Sequence, residues 1–166
     1  MILAPIIALD VGSACAAGLV AGTFDCPVLL EAKRWSRFDA EKVVAQLKRW
    51  RRGRGRGAAI WCEGTFSERR TKKRFLGDVG RKQEAQIGIL QALMGEVFER
   101  VPPVNGTEAM VAWQAFGRPA IGEGDAGEHG RDMLGVALKA LNRRNETAEQ
   151  WMERVALNRE FRPSGR

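Results

Sequence analysis

Two short apolar runs that each end in a carboxylate, Ile6-Ile7-Ala8-Leu9-Asp10 and Ala58-Ala59-Ile60-Trp61-Cys62-Glu63, lie on either side of an amphipathic helical stretch. This arrangement restricts the fold more than any other feature of the chain. Runs of that length bounded by turn signals read as buried strands. The second run follows a helix and is therefore expected to lie parallel to the first, through a right-handed crossover. Gly12-Ser13 and Asp25-Cys26-Pro27 divide the first third into strands over about Ile6 to Val11, Ala17 to Phe24 and Val28 to Trp35. Short connections make these strands antiparallel neighbours, so the pattern predicts an α/β fold: a three-strand antiparallel meander joined to a βαβ unit.

The intervening helix is expected from about Ala40 to Arg52. Asp39 is its N-cap, Phe38 and Val43 are placed as a hydrophobic staple, and Gly53 lies just past its end. Val43, Val44, Leu47 and Trp50 form its apolar stripe. After Glu63 comes a polar, basic stretch to about Gly77, then a helix from about Val79 to Gly95 with Val79, Ile87, Leu90 and Met94 at helical spacing and Val97 just beyond. The other side of that helix carries Lys82, Gln86, Ile89 and Leu93. A single broad core face is expected, with a second, partner-facing side as the alternative. Glu96 to Val101 reads as a fifth strand closed by Pro102-Pro103. Thr107 is expected to cap a short helix through Trp113, and Gly117 to Gly130 to be a glycine-rich loop. Helices over about Arg131 to Arg143 and Ala148 to Arg159 complete the chain, the second opened by the capping box Thr147-Ala148-Glu149-Gln150. Residues 1–161 are expected to form one domain, with residues 162–166 a disordered tail.

The chain of 166 residues carries 27 Lys and Arg against 20 Asp and Glu, a net charge of +7. The excess is clustered, which favours a nucleic acid over an acidic small molecule as partner. Lys48, Arg49, Arg51, Arg52, Arg54 and Arg56 form one block, and Arg69, Arg70, Lys72, Lys73 and Arg74 another. For the first block, at a helix end beside three glycines, a solvated helix face is an equal alternative. Cys15, Cys26 and Cys62 are odd in number and have no Cys-x-x-Cys spacing, which fits buried free thiols rather than a disulfide framework or zinc site. No apolar stretch approaches the roughly 20 residues of a membrane span, and the start lacks a basic region before its apolar run. A cytoplasmic location without membrane contact is expected.

Asp10 and Glu63 each stand at the carboxyl end of a strand, and His129 and Asp132 are three residues apart near the start of a late helix, on one helical face. A carboxylate ending a central apolar run is costly to desolvate unless it is paired or binds metal. Each residue also has a plainer explanation. An Asp before Gly12 can be a turn residue, and Asp132 can favour the positive end of its helix. Glu123, Asp125 and Glu128 lie close enough in sequence to His129 to take the place of one of the four. Three carboxylates and an imidazole suit hard divalent ions such as Mg²⁺ or Mn²⁺. Two such ions about 3.5–4 Å apart can activate water and hold the charge that grows in phosphodiester cleavage. His129 is either a ligand, a general base or a stabiliser of the displaced oxygen, since an imidazole can take or give a proton near neutral pH.

The order of these features resembles the RuvC-type Holliday junction resolvases of the ribonuclease H-like fold over about residues 6 to 141. Asp10-Val11-Gly12 is similar to the family's first-strand Asp and glycine turn, Glu63 to its fourth-strand Glu, and His129-Gly130-Arg131-Asp132 to its His-x-x-Asp on the last helix. Phe66 stands three residues after Glu63, where the family often carries an aromatic side chain that stacks on an unpaired base. The chain departs from the pattern at Val11, where the family usually has Pro, and Gly18 falls one residue late. The resemblance implies a ribonuclease H-like, five-stranded mixed sheet flanked by helices. It further implies a homodimeric endonuclease that resolves four-way DNA junctions by paired nicks, with two Mg²⁺ or Mn²⁺ ions per site held by Asp10, Glu63, His129 and Asp132. Phe66 would stack on a base, and Arg69, Arg70, Lys72, Lys73 and Arg74 would contact phosphates. A branch-migration helicase is a further partner of such enzymes that this sequence does not specify. The alternatives are a ribonuclease H-like nuclease acting on RNA or precursor ribosomal RNA, and a non-catalytic basic nucleic-acid-binding module.

Overall fold

In a computed structural model, residues 4–64, 78–121 and 127–144 are described. Strands β1 (Ile6–Val11), β2 (Cys15–Gly22) and β3 (Pro27–Trp35) are followed by helix α1 (Ala40–Arg52), strand β4 (Ala59–Glu63), helix α2 (Asp78–Met94), strand β5 (Glu99–Val101) and helices α3 (Gly106–Ala115) and α4 (Gly127–Arg144). These strands form one sheet in the order β3-β2-β1-β4-β5. The meander pairs antiparallel, and β4 lies parallel to both β1 and β5. The expected five-stranded mixed sheet flanked by helices is therefore present.

β1 is the centre of the sheet and is buried along its whole length. Its side chains alternate between two cores, as the period of a strand requires. Ile7, Leu9 and Val11 pack with Val43, Val44, Leu47 and Trp50 of α1 and with Ile87 and Leu90 of α2. Ile6 and Ala8 face the other way, against Met133, Leu134, Ala137 and Leu141 of α4. Asp10 continues the second set and so points toward α4. β4 obeys the same rule, with Ile60 and Cys62 in the first core and Trp61 in the second. Glu63 accordingly falls on the α4 side too. The parallel ladder runs from Ile6 with Ala59 to Leu9 with Cys62, one step short of Asp10 and Glu63.

Helix α1 has the bounds expected of it. Asp39 accepts the Lys42 N–H at 3.2 Å, and the N–H of Gly53 closes the other end on Trp50. Phe38 packs against the core that contains Val43, as a staple should. At the helix's end Arg51 donates to both carboxylate oxygens of Glu96, at 2.8 and 2.7 Å, and to the carbonyl of Ala58. One cation of the first basic block is thus committed to the fold.

Other expectations are corrected. β2 begins at Cys15, opposite Val11, and ends at Gly22, whose φ of +87° turns the chain. β5 is confined to Glu99–Val101, because Glu96 is drawn to Arg51 and the Phe98 N–H donates to the Gln91 side chain. Asn105, not Thr107, caps α3, in a reciprocal pair with Glu108. α4 starts at Gly127 rather than Arg131, so His129 belongs to its first turn and the glycine-rich loop is shorter than expected. The single broad core face of α2 does not hold: Ile87 and Leu90 are buried, but Ile89 and Leu93 are each 48% exposed. Cys26 is exposed, whereas Cys15 and Cys62 are buried, and burial pushes both of those thiols up to about 12. Among the described residues no helix is long and apolar enough to cross a membrane. The second basic block, the expected helix over residues 148–159 and the tail lie outside the described residues.

Candidate active site

The site forms where the carboxyl ends of β1 and β4 meet the first turn of α4. Asp10 is the one charged residue among the buried side chains described, 5% exposed. Its Oδ2 accepts a hydrogen bond from Nδ1 of His129 at 2.8 Å. The helical spacing of residues 129 and 132 turns Asp132 to the same side. One ligand atom from each of Asp10, His129 and Asp132 lies within 4.8 Å of the other two.

Small residues let α4 come this close. A Cβ on Gly18, which pairs with Ala8 across the sheet, would fall 2.6 Å from the Met133 sulfur, and one on Gly135 would fall 2.5 Å from Cγ1 of Val104. The first contact seats α4 over β1 and β2. The second brings the strand of chain after Pro102-Pro103 against the helix, and the Val104 N–H donates to Glu63 Oε1 at 2.7 Å. Glu63 is thus placed by a backbone group, and it stands outside the three-residue cluster. It remains within electrostatic reach of that cluster.

Glu63 is held up at about 7 by burial, against the Val104 hydrogen bond and with help from the charges of Asp10 and Asp132. Asp132 is raised to about 6 by burial and by the neighbouring Asp10 and Glu128. His129 is raised above the usual imidazole range, mainly by its hydrogen bond to Asp10. All three shifts describe an excess of negative charge in a partly dry place. A proton on His129 answers part of it, and a bound cation would answer more.

The donors are two carboxylates and an imidazole, with a third carboxylate, Glu63, alongside. This set fits a hard divalent ion that retains some of its own water. Of the four residues singled out in the sequence, three come together and the fourth joins them on the same side of the sheet. Asp10 and Glu63 do not lie on opposite faces. Phe66, Arg69, Arg70, Lys72, Lys73 and Arg74 lie outside the described residues, as do Glu123 and Asp125. Glu128 is exposed and acts on the cluster through its charge.

Two contributors were not evident in the sequence. Val104 acts through its main chain, which no residue pattern advertises. Lys139 draws the raised Glu63 pKa part of the way back down while its ammonium bonds the carbonyl of Pro103 and Glu108, both at 2.8 Å. Its position two helical turns after Asp132 was the available signal.

No protein-family model and no curated protein matches the chain. Among solved structures the chain is similar to T. thermophilus RuvC in complex with a Holliday junction substrate, at a TM-score of 0.55 and 17% sequence identity. The match covers 84% of this chain and 95% of that one. The fold is ribonuclease H-like. In this ribonuclease H-like domain the acidic cluster occupies the carboxyl ends of neighbouring parallel strands, the edge at which open α/β sheets bind their ligands.

Proposed function

We propose that this chain is a divalent-metal-dependent endonuclease that resolves four-way DNA junctions by paired nicks. The observation that carries the proposal is the convergence of Asp10, His129 and Asp132 within 4.8 Å, with Glu63 beside them on the same face. The similarity to a RuvC solved with a Holliday junction supports the choice of substrate. The basic charge of the chain supports a polyanion in general.

Asp10, Asp132 and Glu63 would hold Mg²⁺ or Mn²⁺, with His129 either a fourth ligand or the group that takes a proton from the attacking water. Bound there, the ions would supply charge to the reacting phosphate and lower the pKa of water. Asp10 orients His129 through Nδ1, which leaves Nε2 of the ring for a ligand or a proton. The Val104 N–H holds Glu63 Oε1 at 2.7 Å, a main-chain anchor that would leave Oε2 for an ion.

Paired nicks need two sites related by a two-fold axis, and a homodimer supplies them. The exposed outer side of α2, with Ile89 and Leu93, supports a partner there, as does Val97 just beyond it, which is 85% exposed. Phe66 would stack on an unpaired base, and Arg69, Arg70, Lys72, Lys73 and Arg74 would hold phosphates near the cut. A cytoplasmic location belongs to the same proposal.

The test is to mix purified protein with labelled four-way, linear duplex and single-stranded DNA and with labelled RNA, with and without Mg²⁺ or Mn²⁺. Symmetric nicks confined to the four-way substrate and dependent on metal are expected. Cleavage of RNA in preference to every DNA substrate would reject the proposal.

A further inference from the structure

At the end of the sheet opposite the acidic cluster, the last turn of α1 and the turn after it expose Lys48, Arg49, Arg52, Arg54 and Arg56. No acidic residue lies between Lys48 and Arg56. The one remaining cation of that block, Arg51, is engaged by Glu96 and by the carbonyl of Ala58. The two apolar residues of the same turns, Leu47 and Trp50, point into the core.

The helix end alone does not explain this composition. Cations in the last turn complement the negative end of the helix, but that effect fades within one turn. Arg54 and Arg56 lie beyond it. They sit on a hydrogen-bonded turn, in which the Gly55 N–H donates to Trp50 at 2.8 Å and the Ala58 N–H to Gly55 at 3.0 Å. Gly55 is buried under the turn, where a Cβ would fall 2.9 Å from the Trp50 carbonyl. The cations are thus presented from a fixed base rather than from a loose loop.

Their position separates them from the cluster. The turn leads directly into Ala59, which pairs with Ile6, whereas Asp10 and Glu63 stand at the far ends of those strands. A five-residue strand spans roughly 13 Å. The turn also belongs to the α1 side of the sheet, and the acidic cluster to the α4 side.

We infer that the segment from Lys48 to Arg56 is a second DNA-binding surface, which holds the phosphate backbone of a duplex arm away from the strand being cut. The choice of duplex DNA as the polyanion rests on the proposed junction nuclease. An array of cations without apolar or hydrogen-bonding side chains between them reads charge and not sequence, as phosphate contacts do. The inward direction of Leu47 and Trp50 leaves no apolar side chain to enter a lipid surface, which argues against a membrane as the occupant.

The test uses the full chain carrying Asp10→Asn, so that binding is measured without cutting. Affinity for a linear duplex is followed against salt by fluorescence anisotropy, for that protein and for the same protein with Arg49, Arg52, Arg54 and Arg56 all replaced by Gln. If all four contact phosphates, the log-log salt slope becomes shallower by about 3.6. That change corresponds to a difference of roughly 150-fold in the affinity lost between about 50 and 200 mM salt. The four-fold Arg→Lys variant, which keeps the charge, retains the steep slope. An unchanged slope in the Gln variant overturns the inference, and so does a variant that loses binding to phosphatidylserine vesicles while binding DNA as before. Should the unsubstituted chain leave junctions uncut with metal present while the slope still falls, the proposed activity fails and the second surface stands.

Discussion

Asp10 and Glu63 occupy matching places, the ends of two adjacent parallel strands, yet they are held in opposite ways. Asp10 is nearly buried and meets the His129 side chain, a partner that can change protonation or turn to a metal. Glu63 is anchored by the Val104 main chain, a partner that can do neither. One acid therefore sits in a site that adjusts, and the other in a site that is set when the chain folds. The difference assigns them distinct duties, Asp10 at the centre of the charge cluster and Glu63 at its fixed margin.

The largest effect expected is from Asp10→Asn, which removes the central charge. Nicking should fall by roughly 10³-fold while junction binding is kept, as read by single-turnover cleavage and by gel shift. Equal loss of binding would mean that Asp10 supports the fold and not the chemistry. Glu63→Gln keeps an oxygen for the Val104 N–H and removes the charge, and a loss of roughly 10²-fold is expected. Because Glu63 is costly to ionise in this setting, the same variant should melt higher than the parent at pH 8 without metal. A lower melting point would contradict the charge excess described for the site.

The pH dependence tests the pair together. Glu63 at about 7, Asp132 at about 6 and the raised His129 all bind protons more tightly in the folded chain than in the unfolded one. A raised value contributes stability that is complete below the unfolded pKa and is lost as pH rises through the folded one. The metal-free protein should therefore lose stability as pH rises from about 4, where the unfolded carboxylates ionise, through about 7, and the stabilisation given by Mg²⁺ or Mn²⁺ should grow over the same interval. Calorimetry across that interval measures both. A metal effect that is flat with pH would rule out these groups as ligands.

The smallest effects should come from two glycines at the contacts of α4, Gly18 on β2 and Gly135 on α4 itself. Gly18→Ala presses on the flexible end of Met133, whereas Gly135→Ala presses on the branched, stiff side chain of Val104. Each is expected to cost about 1–3 kcal/mol in denaturant unfolding, with Gly135→Ala the more costly. Only Gly135→Ala should also disturb Glu63, and with it the pH profile.

Much of this arrangement was legible in the sequence. The apolar runs marked the strands because β1 and β4 lie in the middle of the sheet, where both faces exclude water. α1 was legible to the residue, because Asp39 and Gly53 supply local signals at both of its ends. α4 was not, since Gly127 and Gly130 resemble a loop. In the folded chain Gly130 is buried and packing on the sheet outweighs the weak helix propensity of glycine. The convergence of Asp10, His129 and Asp132 followed from strand ends and helical spacing. The support of Glu63 did not, because it depends on the main-chain amide of Val104, 41 residues further along the chain.

The ladder between β1 and β4 stops one residue before the two acids, and side chains on a strand point alternately up and down. Loss or gain of a single residue between Ala59 and Glu63 would send the Glu63 carboxylate into the oily layer under α1 and α2. Two residues lost or gained together would restore its direction. The length of this strand can therefore change only by even steps, and a library of one- and two-residue insertions there should sort into inactive and active members by parity alone.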